Sequence, residues 1–430
     1  MDLLRGKIFK NASWIIVSKL FQSVFSLTIG LLSARYLGPS NYGLINYASS
    51  IVTFVFPIAQ LGLNNTLVHE LSQDSENEGK ILGTSIIMSV VSALFCMFGV
   101  TAFAAVSNNG DRECVLIVSL YSIGILFQSL DLIRYWFQTK LLSKYSSVVS
   151  LVAYTVVSLY KLFLLITKRS IFYFAVSNSI DYFLIALLLI ILYKKLDGQS
   201  FSFDFSLGKR VISKSKHYII PGLMVAIFAQ TDKIMLKSMI GEAEIGYYSA
   251  ATAIASISSF VFTAIIDSFR PVIFSDLNNE ASFRLNLRRL YCIIIWLSLL
   301  QSVFMTIFSD LFVYILYGSE YAASSNILRI VVWLTTFSYF GAVRNIWILA
   351  KNKQKYLWII NALGACMNVV LNLIMIPFFG AIGAAIASVF TQMFTNFILG
   401  FILTPIRENN SIVIESLNPK LILDLIKKDK

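Results

Sequence analysis

Three aspartates and seven basic residues stand inside stretches otherwise made of Ile, Leu, Val and Phe. They are Asp131, Asp181 and Asp232, with Lys19, Arg134, Lys161, Lys233, Lys237, Arg329 and Arg344. A charge at bilayer depth costs at least about 2.5–3.5 kcal/mol on insertion scales, so it faces a protein interior or water and marks a route for ions or charged substrate. The densest group lies in "FAQTDKIMLKSM", residues 228–239, within an otherwise apolar run from Tyr218 to Ile240. On a helix Gln230, Lys233 and Lys237 share one face, while Asp232 points roughly 100° away from Lys233. Asp232 and Lys233 lie about 10–12 Å inside the outer end of that run at 1.5 Å per residue. A cationic face beside a carboxylate requires partners from other helices. Asp232 could neutralise Lys19 or an arginine, or it could carry and release a proton.

Asp181 sits near the middle of its run, with no basic residue within a helical turn. Asp131 and Arg134 are spaced i, i+3, which allows a local ion pair. Lys161, Arg329 and Arg344 lie about 7–8 Å from a helix end, within reach of lipid headgroups by snorkelling.

Catalytic chemistry leaves little trace. His69 and His217 fall at the ends of different apolar runs, and no phosphate loop, G-x-G-x-x-G entering a helix or H-E-x-x-H occurs. The four cysteines, Cys96, Cys114, Cys292 and Cys366, have no metal-ligand spacing and read as packing residues. The expectation is a chain that is not an enzyme and holds no cofactor and no metal.

The elements that position these charges are membrane helices. Hydrophobic residues make up 57% of 430, charged residues 13%, and the mean hydropathy is +0.74. A soluble chain averages about 45–50% apolar and about 25% charged. Runs of the roughly 20 apolar residues a spanning helix needs occur near 12–34, 43–67, 81–106, 113–136, 146–166, 171–193, 217–240, 246–267, 290–309, 324–349, 356–377 and 381–404. The first begins with a basic segment like a secretory signal, but it is too long and carries no cleavage site, so a retained helix is expected. The fold class expected is all-α integral membrane with twelve transmembrane helices. With the N-terminus inside, most of the 35 Lys and Arg fall in inside loops, while the outside loops hold Arg35, Arg112, Lys168 and Arg169. Both termini are then cytoplasmic, and the net charge of +12 reflects topology, not nucleic-acid binding.

The chain also repeats itself at an offset of 203 residues, pairing Gly38 with Gly241, Gly43 with Gly246 and Ala48 with Ala251. In the second helix Asn46, Ser49, Thr53, Gln60 and Asn64 form a polar stripe; the same offset lands on Ser249, Thr252, Ser256, Thr263 and Asp267. Ser and Thr in membrane helices often bond their own backbone, but two aligned stripes favour a water-filled or substrate-facing cavity. Asn361, Asn368 and Asn372, and Ser388, Thr391 and Thr395, add polar positions in the last two helices. Two six-helix bundles of equal orientation follow: residues 1–195, a cytoplasmic linker 196–216, residues 217–404 and a cytoplasmic tail 405–430.

The segments "SARYLGPSNYGLINYASSIVTFVFPIAQLGLNN", "QTDKIMLKSMIGEAEIGYYSAA", "LYGSEYAASSNILRI" and "NALGACMNVVLNLIMIPFFGAIGAAIAS" together resemble the bacterial O-antigen and capsule repeat-unit flippases. These belong to the multidrug/oligosaccharidyl-lipid/polysaccharide exporter superfamily. The resemblance implies a MATE-like, V-shaped transporter in the bacterial inner membrane. It would move an oligosaccharide on undecaprenyl pyrophosphate from the cytoplasmic to the periplasmic leaflet by alternating access. It implies a cationic lumen for the anionic head, a role carried onto Lys233 and Lys237 in the matching "DKIML" segment and onto Lys19, Arg134, Arg329 and Arg344. Asn46, Thr53, Gln60, Asn64, Thr252, Ser256, Thr263 and Asn368 would supply the polar face for sugar. Asp131, Asp181 and Asp232 are candidates for coupling to H+ or Na+. Expected partners are the lipid-linked substrate, membrane lipids, a polysaccharide polymerase and a chain-length regulator. The alternative is an ion-coupled drug or metabolite exporter of the same fold.

Overall fold

The computed structural model describes the backbone of residues 2–418 and the side chains of 21–418 except Asn65, together with those of Trp14 and Ser18. Among the described residues every regular element is helical. The first half runs α1 (Asp2–Ala59), α2 (Leu63–Gln73), α3 (Glu78–Ser107), α4 (Arg112–Ser122), α5 (Gly124–Gln128), α6 (Ile133–Thr139), α7 (Ser143–Ile166) and α8 (Ile171–Lys195). It continues with α9 (Phe205–Met239), α10 (Glu242–Ala255), α11 (Ser259–Ser275), α12 (Glu280–Ile307), α13 (Ser309–Tyr317), α14 (Ser324–Ala350), α15 (Lys355–Met393), α16 (Leu399–Ile402) and α17 (Arg407–Glu415). A 3₁₀ turn at Ser129–Leu132 joins α5 to α6, and a π-helical stretch at Phe394–Ile398 joins α15 to α16.

By length and apolarity nine helices among the described residues can cross a membrane, or ten when α10 and α11, bent by 45°, count as one span. This falls short of the expected twelve, and the difference lies at two glycines. Gly38 (φ 70°, ψ 172°) interrupts α1, and Gly380 (φ 55°, ψ −132°) interrupts α15. A straight helix over Phe21–Ala59, 39 residues, would be about 58 Å long, near twice the roughly 30 Å hydrocarbon core. Each broken stretch therefore holds two of the apolar runs seen in the sequence. Glycine is needed at both breaks because positive φ puts Cβ against the backbone in other residues. Pro39, directly after the first break, suits a helix start, where its missing N–H leaves nothing unpaired. The repeat register is visible here too: Gly241, the partner of Gly38, also has positive φ with extended ψ (143°, −177°) and precedes α10.

The chain divides into two compact units, Met1–Gln230 and Thr231–Lys430, with the boundary inside α9. In the first, a core of Leu63, Leu67, Leu71, Ile81, Leu82, Trp136, Phe137 and Tyr193 also takes in Leu207 and Val211 from the start of α9. Two carboxylates are buried beside it. Glu78 accepts from Trp136 Nε1 at 2.7 Å and pairs with Lys140. Glu70, 4% exposed, pairs with Arg210 at 3.0 Å and with Lys214. The second unit centres on Phe262, Leu287, Leu290, Tyr291, Val343 and Trp347, with Phe262 stacked on Tyr339 at 4.0 Å. Short α17 closes it through Ile412 and Val413.

Candidate functional site

In the second unit Asp232 is 5% exposed and lies in the last third of α9. α15 brings Asn368 and Asn372 to it from one side of the Gly380 break and Ser388 from the other, and α10 brings Tyr248. Oδ1 accepts from Asn372 Nδ2 at 2.7 Å and from Asn368 Nδ2 at 3.1 Å. Oδ2 accepts from Tyr248 Oη and Ser388 Oγ. Asn372 also donates to Asn368 Oδ1 at 3.1 Å, and Asn368 to Ser388 Oγ at 3.3 Å. The amide orientation of Asn372 is thus fixed, because its nitrogen meets two oxygen acceptors. Four donors converge on one carboxylate, two on each oxygen. Burying a carboxylate costs several kcal/mol. Four hydrogen bonds to a charged group, each worth about 1.5–3 kcal/mol, are of a size to offset that cost.

Asn368 stood among the expected polar residues, and Asn372 and Ser388 were visible as stripe positions; Tyr248 carried no signal. Its hydroxyl is read from sequence as one more aromatic in an apolar helix. Asn372 Oδ1 is buried without a hydrogen-bond partner among the described residues, the one open acceptor in the cluster.

The cations differ sharply in how they are held. Lys237 pairs with Glu242 at the start of α10. Arg329 pairs with Asp310 and donates a second hydrogen bond to Asn326 Oδ1 at 2.6 Å. Arg344, 4% exposed, donates to the carbonyl of Thr395, in the π-helical stretch, and to Asn345 Oδ1 at 3.3 Å. Lys233 is half-buried and within electrostatic range of Asp232. Among the described residues it makes neither a hydrogen bond nor an ion pair. The side chain of Lys19 lies outside the described residues.

The first unit holds its own charged cluster. Arg134 pairs with Asp131 at 2.8 Å and donates to Ser150 Oγ at 3.1 Å, so the i, i+3 pair is formed across the 3₁₀ turn. Asp181 on α8 lies within electrostatic range of Lys161 on α7 and of Asp131 and Arg134. Its Oδ1 is buried with no hydrogen-bond partner among the described residues. Lys161 is therefore brought from the neighbouring helix to the aspartate that lacks a base on its own.

The polar stripes are placed as follows. Asn46 donates to Tyr42 O at 2.9 Å and Thr53 to Ser49 O at 2.7 Å; Gln60 is buried and Asn64 exposed. Thr252 donates to Tyr248 O, Ser256 to Thr252 O and Thr263 to Ser259 O, all at 2.9 Å. These hydroxyls spend their donors on their own helix, while Thr53, Ser256 and Thr263 stay exposed with acceptor lone pairs free.

Comparison with known proteins fits this architecture. A family model described as "Polysaccharide biosynthesis protein" matches residues 8–277. The capsular polysaccharide biosynthesis protein CapF of Staphylococcus aureus is 20% identical over 397 residues, covering 89% of this chain and 96% of its own length. A putative O-antigen transporter of Salmonella typhi is 22% identical over 395 residues, covering 83% and 86%. Among solved structures, the lipid II flippase MurJ in an inward closed conformation superposes with a TM-score of 0.71 at 16% identity, covering 96% of this chain and 92% of its own. An inward-facing multidrug resistance MATE family transporter of the MOP superfamily gives 0.68 at 14%, covering 92% and 96%. The fold is that of these transporters, and by a match over more than half its length the chain belongs to the polysaccharide biosynthesis protein family.

Proposed function

We propose that this protein flips undecaprenyl-pyrophosphate-linked oligosaccharide repeat units from the cytoplasmic to the periplasmic leaflet by alternating access, supplying O-antigen or another surface polysaccharide. Family and fold are those of membrane transporters, not of enzymes, and the names of the CapF and O-antigen transporter relatives support the substrate class. The observation that carries the reading is Lys233: an ammonium in a membrane helix that makes no hydrogen bond or ion pair among the described residues is available to a ligand anion. A pyrophosphate entering low dielectric needs such a partner. Lys237, Arg134 and Arg329 would join it by exchanging their carboxylates, with Arg344 and Lys19 completing the cationic set. Asn46, Thr53, Gln60, Asn64, Thr252, Ser256, Thr263 and Asn368 would meet the sugar. Asp232 is the leading candidate for coupling to H+ or Na+, with Asp181 and Asp131 its counterparts in the first unit. In this reading the repeat corresponds to two bundles, 1–195 and 217–404, in the inner membrane with cytoplasmic termini. A polymerase and a chain-length regulator would take up the product.

The test is complementation of a strain lacking the protein. Lys233→Ala and Lys233→Gln at wild-type membrane levels should abolish most surface polysaccharide, while Lys233→Arg retains it. Full polysaccharide from Lys233→Ala would remove the basis of the proposal.

A further inference from the structure

The linker sequence "QSFSFDF", residues 199–205, alternates polar residues with phenylalanine, and the structure shows what each set does. The polar set ties the segment to the start of α3. Gln199 Oε1 accepts from Gly79 N at 2.9 Å and its Nε2 donates to Ser75 O at 3.1 Å. Ser202 N donates to Gly79 O at 3.3 Å, and Asp204 N to Thr84 Oγ1 at 3.0 Å. The contact is close because α3 has glycines beneath it: a Cβ on Gly79 or Gly83 would stand 2.4 or 2.5 Å from the carbonyl oxygens of Ser200 and Ser202.

Alternation then turns the phenylalanines outward. Phe201, Phe203 and Phe205 are 39%, 51% and 78% exposed. With Met88, Gly208, Lys209 and Ile212, Phe203 and Phe205 line a groove of about 420 Å³. Val91, Phe95 and Phe98, exposed and on the helical face of Met88, continue that face along α3 with exposed Ile87 and Leu94 beside them, the face a membrane helix shows to lipid. Lys209 lines the groove, and Lys80 lies within electrostatic range of Asp204, which stands between the lining Phe203 and Phe205. The carboxylate of Asp204 is turned to α9, accepting from Ser206 N and Leu207 N at 2.9 and 3.0 Å.

We propose that this groove binds one anionic glycerophospholipid of the bilayer, with an acyl chain against Met88, Phe203, Phe205 and Ile212 and its phosphate between Lys209 and Lys80. The linker thereby anchors the start of α9 to the membrane surface. Apolar walls continuous with a lipid-facing stripe, one lysine in the lining and a second near the linker match that ligand in both parts. The groove carries none of the amide or hydroxyl side chains that a sugar headgroup would require.

The full chain, purified in detergent, is presented with phosphatidylglycerol and phosphatidylcholine in equal amounts, and retained lipid is counted by native mass spectrometry. Wild type should keep one phosphatidylglycerol in preference to phosphatidylcholine. Lys80→Ala and Lys209→Ala should each weaken that preference roughly fivefold, the attraction expected per lysine at an anionic surface. Lys168→Ala with Arg169→Ala, away from the groove, should not. Phe203→Ser with Phe205→Ser should lower retention of both lipids. Equal retention of the two lipids by wild type, unchanged preference in both Lys80→Ala and Lys209→Ala, or a lipid-free dimer would each overturn the proposal.

Discussion

Asn372 Nδ2 donates to Asp232 Oδ1 at 2.7 Å, and both side chains are buried. The pairing joins α9 to α15 and supplies one of the four donors that support a carboxylate in low dielectric. Replacing Asn372 by Leu removes a donor while leaving the charge, so the lost hydrogen bond to a charged group should destabilise the protein by about 1–3 kcal/mol. Asp232→Asn in the same background should recover part of that loss, because the charge is then gone too. Thermal midpoints of the single and double variants in detergent provide the double-mutant cycle; strictly additive shifts would show that the two side chains do not act together.

Lys233 and Lys237 sit one turn apart but should behave oppositely. Lys237 has Glu242 as its partner and is 9% exposed, so Lys237→Ala leaves an acid unpaired. The cost should be about 1 kcal/mol, a modest figure because Glu242 remains 32% exposed. Lys233→Ala removes a half-buried ammonium that makes no hydrogen bond or ion pair among the described residues, so stability should hold or rise slightly while transport falls. Measuring both midpoint and surface polysaccharide for each variant separates the two roles. A stability loss for Lys233→Ala as large as that for Lys237→Ala would contradict the distinction.

The sequence exposes whatever can be read along one helix. Apolar run lengths carry the membrane class, and the i, i+3 spacing of Asp131 and Arg134 carries their pair. Gly38 and Gly241, aligned by the repeat, mark equivalent breaks. What stays hidden is partnership between helices distant in sequence. Asp181 lacks a base within its own turn, and only the packing of α7 on α8 supplies Lys161. Tyr248 looks like a core aromatic until Asp232 is placed beside it. Glu70 and Glu78 fall between the apolar runs 43–67 and 81–106, yet both are buried because α9 and the end of α6 bring cations and an indole to them. Lys237 and Arg329, expected as lumen cations, have carboxylates beside them that no spacing rule selects.

The docking of the linker on α3 predicts a contrast among three glycines of one helix. Gly79→Ala or Gly83→Ala places a methyl group within 2.4 or 2.5 Å of the linker carbonyls, and the linker must lift away. Overpacking of this kind costs about 1–3 kcal/mol, and residues 199–204 should become sensitive to protease. A Cβ at Gly99 would meet nothing within 4 Å. There Ala should stabilise the helix by up to about 1 kcal/mol through propensity alone. Equal protease resistance in all three variants would show that the linker is not held through these glycines.

The cap at Asp204 predicts how linker order depends on pH. Backbone N–H groups of Leu207 and Ser206 donate to its carboxylate, with Lys80 adding a smaller attraction, and together they hold its pKa below the usual 3.8. A group whose pKa is depressed on folding contributes stability above its unfolded value, and that contribution is lost as pH falls through the folded value. Asp204→Asn keeps an N-cap acceptor but has no proton to gain. Protection of the first turn of α9 should therefore favour wild type at pH 6. The difference should shrink as pH drops below about 4, the unfolded Asp value, and vanish once the folded carboxylate is protonated. Hydrogen exchange at α9's first turn across pH 6 to 3 would measure it, with Lys80→Ala narrowing the gap slightly at every pH above that range. A difference independent of pH would mean that Asp204 acts by shape, with its charge contributing nothing to the cap.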